Sequence, residues 1–228
     1  MLVSINTLRR ISPFSNFMKG NLIIISSPSG GGKGTLIMEI LGTIPDIGYS
    51  VSLTTRPQRP GEVDGQHYNF VSRKEFEAFR AEGGFLEWAE VHANYYGTSR
   101  ALTEKITSEG KDVILEIDVQ GAAWVLTRVP DAISIFIMPP SFEALTHRLT
   151  TRATETTEQL SLRLHNSFDE MNGYTIFEYV VVNDDIPTAA KRLESIILAE
   201  RQKRIRQTDV IKDILSSFDV PNDTIGGE

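Results

Sequence analysis

The sequence predicts an α/β fold: a parallel sheet core flanked by helices, with an inserted small, mostly β lobe and a short helical lid. Three observations predict it. Bounded apolar runs at Leu22–Ile25, Asp112–Asp118, Ala132–Met138 and Tyr179–Asn183 read as strands buried on both faces. Helical patterns lie between them, and strands alternating with helices build a parallel sheet with right-handed crossovers. Between residues 49 and 97 the helical spacing gives way to short alternating runs separated by turn formers. In a sheet of this kind ligands sit at the carboxyl ends of the strands.

The elements follow in order. Residues 1–19 carry Arg9, Arg10, Lys19, several serines and no acidic residue. They read as a leader without ordered structure, as an organelle transit peptide, or as sequence upstream of a true start at Met18. After the first strand come Ser27, Pro28, Ser29, Gly30, Gly31, Gly32, Lys33, Gly34 and Thr35, and then a helical pattern to Leu41. Strand, glycine loop, lysine and helix form a phosphate cradle: loop amides point inward, the helix N-terminus adds partial positive charge, and lysine reaches the terminal phosphates. Against the P-loop pattern G-x-x-x-x-G-K-[ST], Gly32 and Lys33 are in place. Ser27 replaces the first glycine, and Gly34 stands where the magnesium-binding hydroxyl belongs, leaving Thr35 as the nearest substitute.

The lobe, residues 49–97, opens on a strand from Tyr49, passes through a loop holding Arg56 and Arg59, and turns at Asp64-Gly65, a hairpin signal. His67–Val71 resumes a strand. Ser72 with Glu75 forms a capping box for a helix that Gly83-Gly84 ends, and Phe85–Val91 and Asn94–Gly97 pair as strands. A helix runs from Ser99 to about Glu109, another spans Val119–Arg128, and Ser141 caps a third with Phe142, Leu145 and Leu149 on one face. Residues 150–157 are polar and read as a mobile excursion. A long helix follows from Glu158, and Ile186 to about Arg206 closes the fold. The core is thus expected at 20–48, 98–141 and 166–206, the lid at 142–165, and a polar tail at 207–228, disordered after Phe218.

Bulk composition narrows the function. A chain of 228 residues with 40% hydrophobic content can bury one sizeable domain. A net charge of −7 argues against coating nucleic acid, so an anionic substrate must be held by local arginines. There are no cysteines, which excludes disulfides, thiolate zinc sites and cysteine nucleophiles. The apolar runs are too short to cross a bilayer, and a soluble, cytoplasmic enzyme fits.

Several side chains could carry chemistry. Arg56 and Arg59, with Tyr68 and Tyr96 on later strands, suit a second phosphate; alone, they also read as a solvated basic loop. Glu87 and Thr98 share the lobe, and a carboxylate there accepts from two adjacent N–H donors, as guanine offers and adenine does not; the other reading is a strand carboxylate facing water. Glu116 and Asp118 end a strand on the edge that bears the glycine loop. Arg148, Arg152 and Arg163 surround the polar excursion, as a closing lid bringing positive charge to a transferred phosphoryl group requires, or as a solvated helix face. None of the four histidines has metal spacing.

Taken together these residues resemble the guanylate kinase family over roughly residues 20–205. The likeness is carried by Ser52–Glu62 (SLTTRPQRPGE), Phe85–His92 (FLEWAEVH), Asn94–Thr98 (NYYGT), Leu115–Gly121 (LEIDVQG) and Val181–Asp185 (VVNDD). The resemblance implies a P-loop NTPase-type core, a GMP-binding lobe and a lid, and an enzyme that transfers phosphate from ATP, with Mg²⁺, to GMP and dGMP. It implies that residues 27–35 and Asn183 hold ATP, and that Arg56, Arg59, Tyr68 and Tyr96 hold the GMP phosphate. Ser52, Glu87 and Thr98 would read the base, with Glu116 beside the nucleotide. Thr35, Glu116 and Asp118 would serve the metal, directly or through water, and Lys33, Arg56, Arg148, Arg152 and Arg163 would act in transfer. Ser27, Gly34 and Ala153 depart from the family's usual glycine, serine and glycine. An inactive scaffold-type module that binds phosphopeptides is the alternative, and the chain is expected as a monomer or homodimer.

Overall fold

The computed structural model describes residues 20–91, 93–151 and 157–218, and the side chains of these except 151 and 157–163. The expectations for residues 1–19, for Arg152 and Ala153, and for the chain after Phe218 lie outside the described residues.

Five parallel strands form the core sheet. They are β1 (Leu22–Ser26), β2 (Ile47–Tyr49), β7 (Asp112–Glu116), β8 (Ile133–Met138) and β9 (Tyr179–Val182), in the order β2-β7-β1-β8-β9. The central strands β1, β7 and β8 are largely apolar because both their faces are covered, whereas the edge strand β9 leaves Val180 and Val182 exposed. Ile23 and Ile25 of β1 point, with Ile114, Ile133 and Ile135, toward helices α1 (Lys33–Thr43) and α7 (Ile186–Arg201). Leu22 and Ile24 point the other way, with Val113, Leu115 and Phe136, toward α4 (Val119–Arg128). Side chains alternating at a period of two make β1, β7 and β8 each serve two cores, while β2 and β9 serve one. At the sheet's lower end Asp112 accepts from the backbone and side-chain nitrogens of Asn21 and from Arg201 Nε at 2.8 Å, which ties the closing helix to the first strands.

The inserted lobe is a four-stranded sheet in the order β4-β3-β6-β5: β3 (Leu53–Thr54), β4 (Asn69–Phe70), β5 (Phe85–Val91) and β6 (Asn94–Ser99). Helix α2 (Arg73–Ala81) packs on it, begun by the Ser72–Glu75 capping box. Phe76, fully buried, stacks on Phe85 and Tyr95 at centroid distances of 4.4 and 5.3 Å. Two expectations change here. Tyr49 ends a core strand rather than opening the lobe, because residues 47–49 pair with β7. Asp64-Gly65 does not close a hairpin: β3 and β4 run parallel, and the turn serves only an isolated Asp64–Tyr68 bridge.

The remaining helices are α3 (Arg100–Ser108), α5 (Phe142–Thr151), α6 (Thr157–Asn172) and α8 (Thr208–Ser216). The last falls in the expected polar tail, where Val210, Ile211, Ile214 and Leu215 supply a helical stripe that the bulk polarity of the segment conceals. Among the described residues no helix is long and apolar enough to cross a membrane.

Candidate active site

The glycine loop leaves β1 at the carboxyl edge of the sheet, as parallel topology requires. Gly32 caps α1 with φ of 87°, and a Cβ there would lie 2.3 Å from Asn183 Nδ2, so both backbone conformation and space demand glycine. Lys33 is the first helical residue, and its Nζ lies 3.2 Å from Glu116 Oε1 on the end of the neighbouring strand β7. Tyr49, from β2 on the far side of β7, donates its hydroxyl to Glu116 Oε2 at 2.9 Å. Burial pushes the Glu116 carboxyl up, but the Lys33 charge and the Tyr49 and Lys33 hydrogen bonds outweigh it and hold the group below the usual carboxylate range. The same environment drives the Tyr49 hydroxyl up, through burial first and the Glu116 charge second.

The arginine pocket forms on the lobe. Arg56 makes an end-on fork to Glu62, with Nη2 to Oε1 at 2.7 Å and Nη1 to Oε2 at 3.0 Å, and Nη1 also donates to the Pro57 carbonyl. Glu62 accepts the Arg59 amide at 2.8 Å as well. The guanidinium lies 5.3 Å from the Tyr68 ring centre, and Tyr68 packs edge-on against Tyr96. Glu62 thus orients the Arg56 guanidinium and fixes the Arg59 main chain, and it was not among the expected site residues although it closes the Ser52–Glu62 motif. The Tyr68 hydroxyl is pushed up to about 12 by burial and then by the charge of Glu116. Arg59 is exposed.

A third cluster lies deeper. Glu87 is 4% exposed and accepts the Thr98 hydroxyl at 2.6 Å, with Ser52 also buried. A β-bulge between Phe85 and Glu87 breaks the strand's alternation, so three successive residues are buried: Phe85 under the lobe, Leu86 in the main core, and Glu87 toward Thr98. Burial first, and the nearby Asp118 charge after it, raises Glu87 to about 7 against the opposing Thr98 bonds. Asp118 belongs to this cluster by position: a Cβ on Gly121 would be 3.0 Å from Glu87 Oε2 and 3.2 Å from Asp118 Oδ1. Its Oδ1 caps α4 by accepting the Gly121 amide at 2.7 Å.

Of the arginines expected in a lid, Arg148 sits at the loop itself, donating to the carbonyls of Gly31 at 3.3 Å and Asn183 at 2.8 Å. Asn183 Nδ2 donates to the same Gly31 carbonyl at 2.9 Å. Leu145 and Leu149 of α5 are buried against Gly30. Arg163 lies in α6, and Thr35 is exposed on α1. Among the described residues no group of three or more histidines, aspartates and glutamates is placed to hold a metal ion. The three clusters offer one cationic group for polyphosphate, a second for a single phosphate, and a buried acceptor.

Comparison with known proteins agrees with this arrangement. The family model described as guanylate kinase matches residues 19–200. A guanylate kinase of Symbiobacterium thermophilum is 48% identical over 191 residues, covering 84% of this chain and 90% of that protein. One of Neisseria meningitidis serogroup A is 47% identical over 203 residues, covering 89% and 99%. The crystal structure of guanylate kinase from Anaplasma phagocytophilum superposes with a TM-score of 0.72 at 35% identity, covering 88% of this chain and 96% of that one. With its phosphate loop, inserted lobe and buried acceptor in place, this chain belongs to the guanylate kinase family.

Proposed function

We propose that the protein phosphorylates GMP, and dGMP, with ATP, the γ-phosphorus passing in line to an oxygen of the acceptor phosphate while ADP leaves. The observation that carries the reading is the buried Glu87–Thr98 pair, an acceptor surface that matches the two adjacent N–H donors of guanine. An acceptor phosphate is already anionic, so no general base is required; positioning and charge neutralisation suffice. Lys33 and the loop amides hold the ATP phosphates, and Arg56, oriented by Glu62, holds the GMP phosphate with Tyr68 and Tyr96. Arg148, Arg152 and Arg163 supply charge from the α5–α6 side, and Asn183 sits beside the loop on the donor side. Retention of Lys33 and Gly32 supports catalysis over a scaffold role.

Mg²⁺ is implied with ATP, and the residues present fit a metal that arrives on phosphate oxygens and keeps its waters. Gly34 has no oxygen to offer, Asp118 is committed to capping α4, and Glu116 is the carboxylate at the loop, with Thr35 one turn position beyond Gly34. Bound there, the ion would neutralise charge on the transferred group. A Cβ at Gly34 would meet only Glu116 Oε1 at 3.8 Å, an ordinary contact, so serine fits. Gly34→Ser is expected to tighten Mn²⁺ binding in the complex with a non-hydrolysable ATP analogue by about tenfold, since it restores the hydroxyl of the usual loop; electron paramagnetic resonance titration checks it.

The activity itself is tested by comparing rates with GMP, dGMP, AMP and UMP at equal ATP. GMP and dGMP are expected to turn over, with AMP and UMP lower by at least about 10³-fold, the scale on which a polar acceptor site rejects a ligand lacking its donors. Equal rates with AMP would overturn the base assignment, and no turnover with GMP would overturn the function.

A further inference from the structure

A loop of three successive glycines has little conformational stiffness of its own, and ordering it is entropically costly. Here three polar groups on its outer rim are engaged by side chains from elsewhere. The Ser29 amide donates to Glu170 Oε2 at 2.7 Å. The Ser29 carbonyl accepts from Ser167 Oγ, fully buried, at 3.3 Å. The Gly31 carbonyl accepts from Asn183 and Arg148. The holders come from α5, α6 and the turn after β9, so the elements on either side of residues 152–156 both grip the loop. Of these contacts only the Glu170 bond joins a full carboxylate charge to a loop amide, and it is the shortest.

We propose that Glu170 is a positioning residue for the donor phosphates: by holding the Ser29 amide outward it sets the curvature of the loop, so that the inner amides and Lys33 converge on one point. The proposal rests on the reading of this loop as the ATP site. It makes α6, which also carries Arg163, the element that couples the lid region to the loop. The alternative is that Glu170 merely occupies an amide that ATP would otherwise take.

The test compares wild-type protein with Glu170→Ala and the isosteric Glu170→Gln, which keeps an acceptor oxygen. Three readouts are taken: KM and kcat for each substrate, calorimetric binding of a non-hydrolysable ATP analogue, and amide hydrogen exchange. Glu170→Ala is expected to raise KM for ATP and weaken analogue binding by about tenfold, the loss of one charge-assisted hydrogen bond, with KM for GMP unchanged. Exchange should quicken across Ser29–Gly32 and stay unchanged in β1. Glu170→Gln should recover part of the loss. Unchanged or tighter analogue binding in Glu170→Ala, or a changed KM for ATP without faster exchange at Ser29–Gly32, overturns the proposal. If Glu170→Ala fails to fold, Glu170→Gln and Ser167→Ala decide, since wild-type affinity and exchange in both overturn it equally. Failure of the wild type to bind the analogue would instead overturn the ATP reading of the loop.

Discussion

Lys33→Ala is expected to lower kcat by about 10²–10³-fold, the scale of losing one preorganised group aimed at developing charge, while leaving equilibrium GMP binding within about twofold. The lysine leads α1 from a left-handed glycine cap, so its direction is set by the backbone, and its Nζ is held at 3.2 Å from Glu116 before any nucleotide arrives. Removing it takes away the cation proposed to meet the ATP phosphates and also the charge that holds Glu116 low, leaving Tyr49 as the donor to that carboxylate. On the proposed reading GMP meets Arg56 and Glu87, so its binding does not depend on Lys33. A coupled ADP assay with a separate GMP titration separates the two effects; wild-type turnover in the variant would rule out Lys33 as the transfer residue.

Glu87→Gln is expected to weaken GMP binding by about 10–100-fold, because the amide presents a donor where guanine also donates and leaves a buried partner unmatched. AMP, which lacks those donors, should change little, so the preference narrows. The pH dependence follows from the same group. Its carboxyl lies at about 7 in the ligand-free fold, against an ordinary 4.5. Guanine needs the ionised form, so below pH 7 binding must expel a proton, and GMP affinity should fall by about tenfold per pH unit. The variant, with no carboxyl to titrate, should keep only the titration of the GMP phosphate, whose second ionisation lies at about 6, so the difference between the two profiles isolates Glu87. The folded chain holds this proton more tightly than the unfolded chain does. Glu87 therefore contributes stability that is present below about 4.5 and lost as pH rises through about 7, and GMP binding offsets that loss.

Four of the five core strands, the glycine loop and the inserted lobe were legible because each rests on local chemistry, while Tyr49, which ends the short strand Ile47–Tyr49, reads in sequence as the start of the lobe. Buried parallel strands are continuously apolar, glycines precede a lysine at a helix start, and turn formers bracket the lobe. The match at Val119–Arg128 is residue for residue, since capping and apolar spacing agree there. The C-terminal helix Thr208–Ser216 was hidden because a short amphipathic stripe is diluted by its polar neighbours. The parallel pairing of β3 with β4 was not readable, because the Asp64-Gly65 signal describes a turn and not which strands it joins.

By itself, then, the sequence determined the α/β class, the lysine at the loop and the family, all of which depend on residue type and spacing along the chain. The environment of each charged group was decided only in three dimensions. Alternation along Phe85–Val91 leaves Glu87 free to face water, and the bulge that pairs it with Thr98 instead depends on β6 lying alongside. Asp118 and Glu116, two residues apart, part company because one caps a helix while the other meets Lys33 across the strand edge. Glu62 closes the Ser52–Glu62 motif without declaring its role, and Glu170 stands in no motif; one gains its role by folding back onto Arg56, the other by reaching a loop 141 residues away. Long-range contacts place charge, and local sequence carries no record of which distant group will meet it.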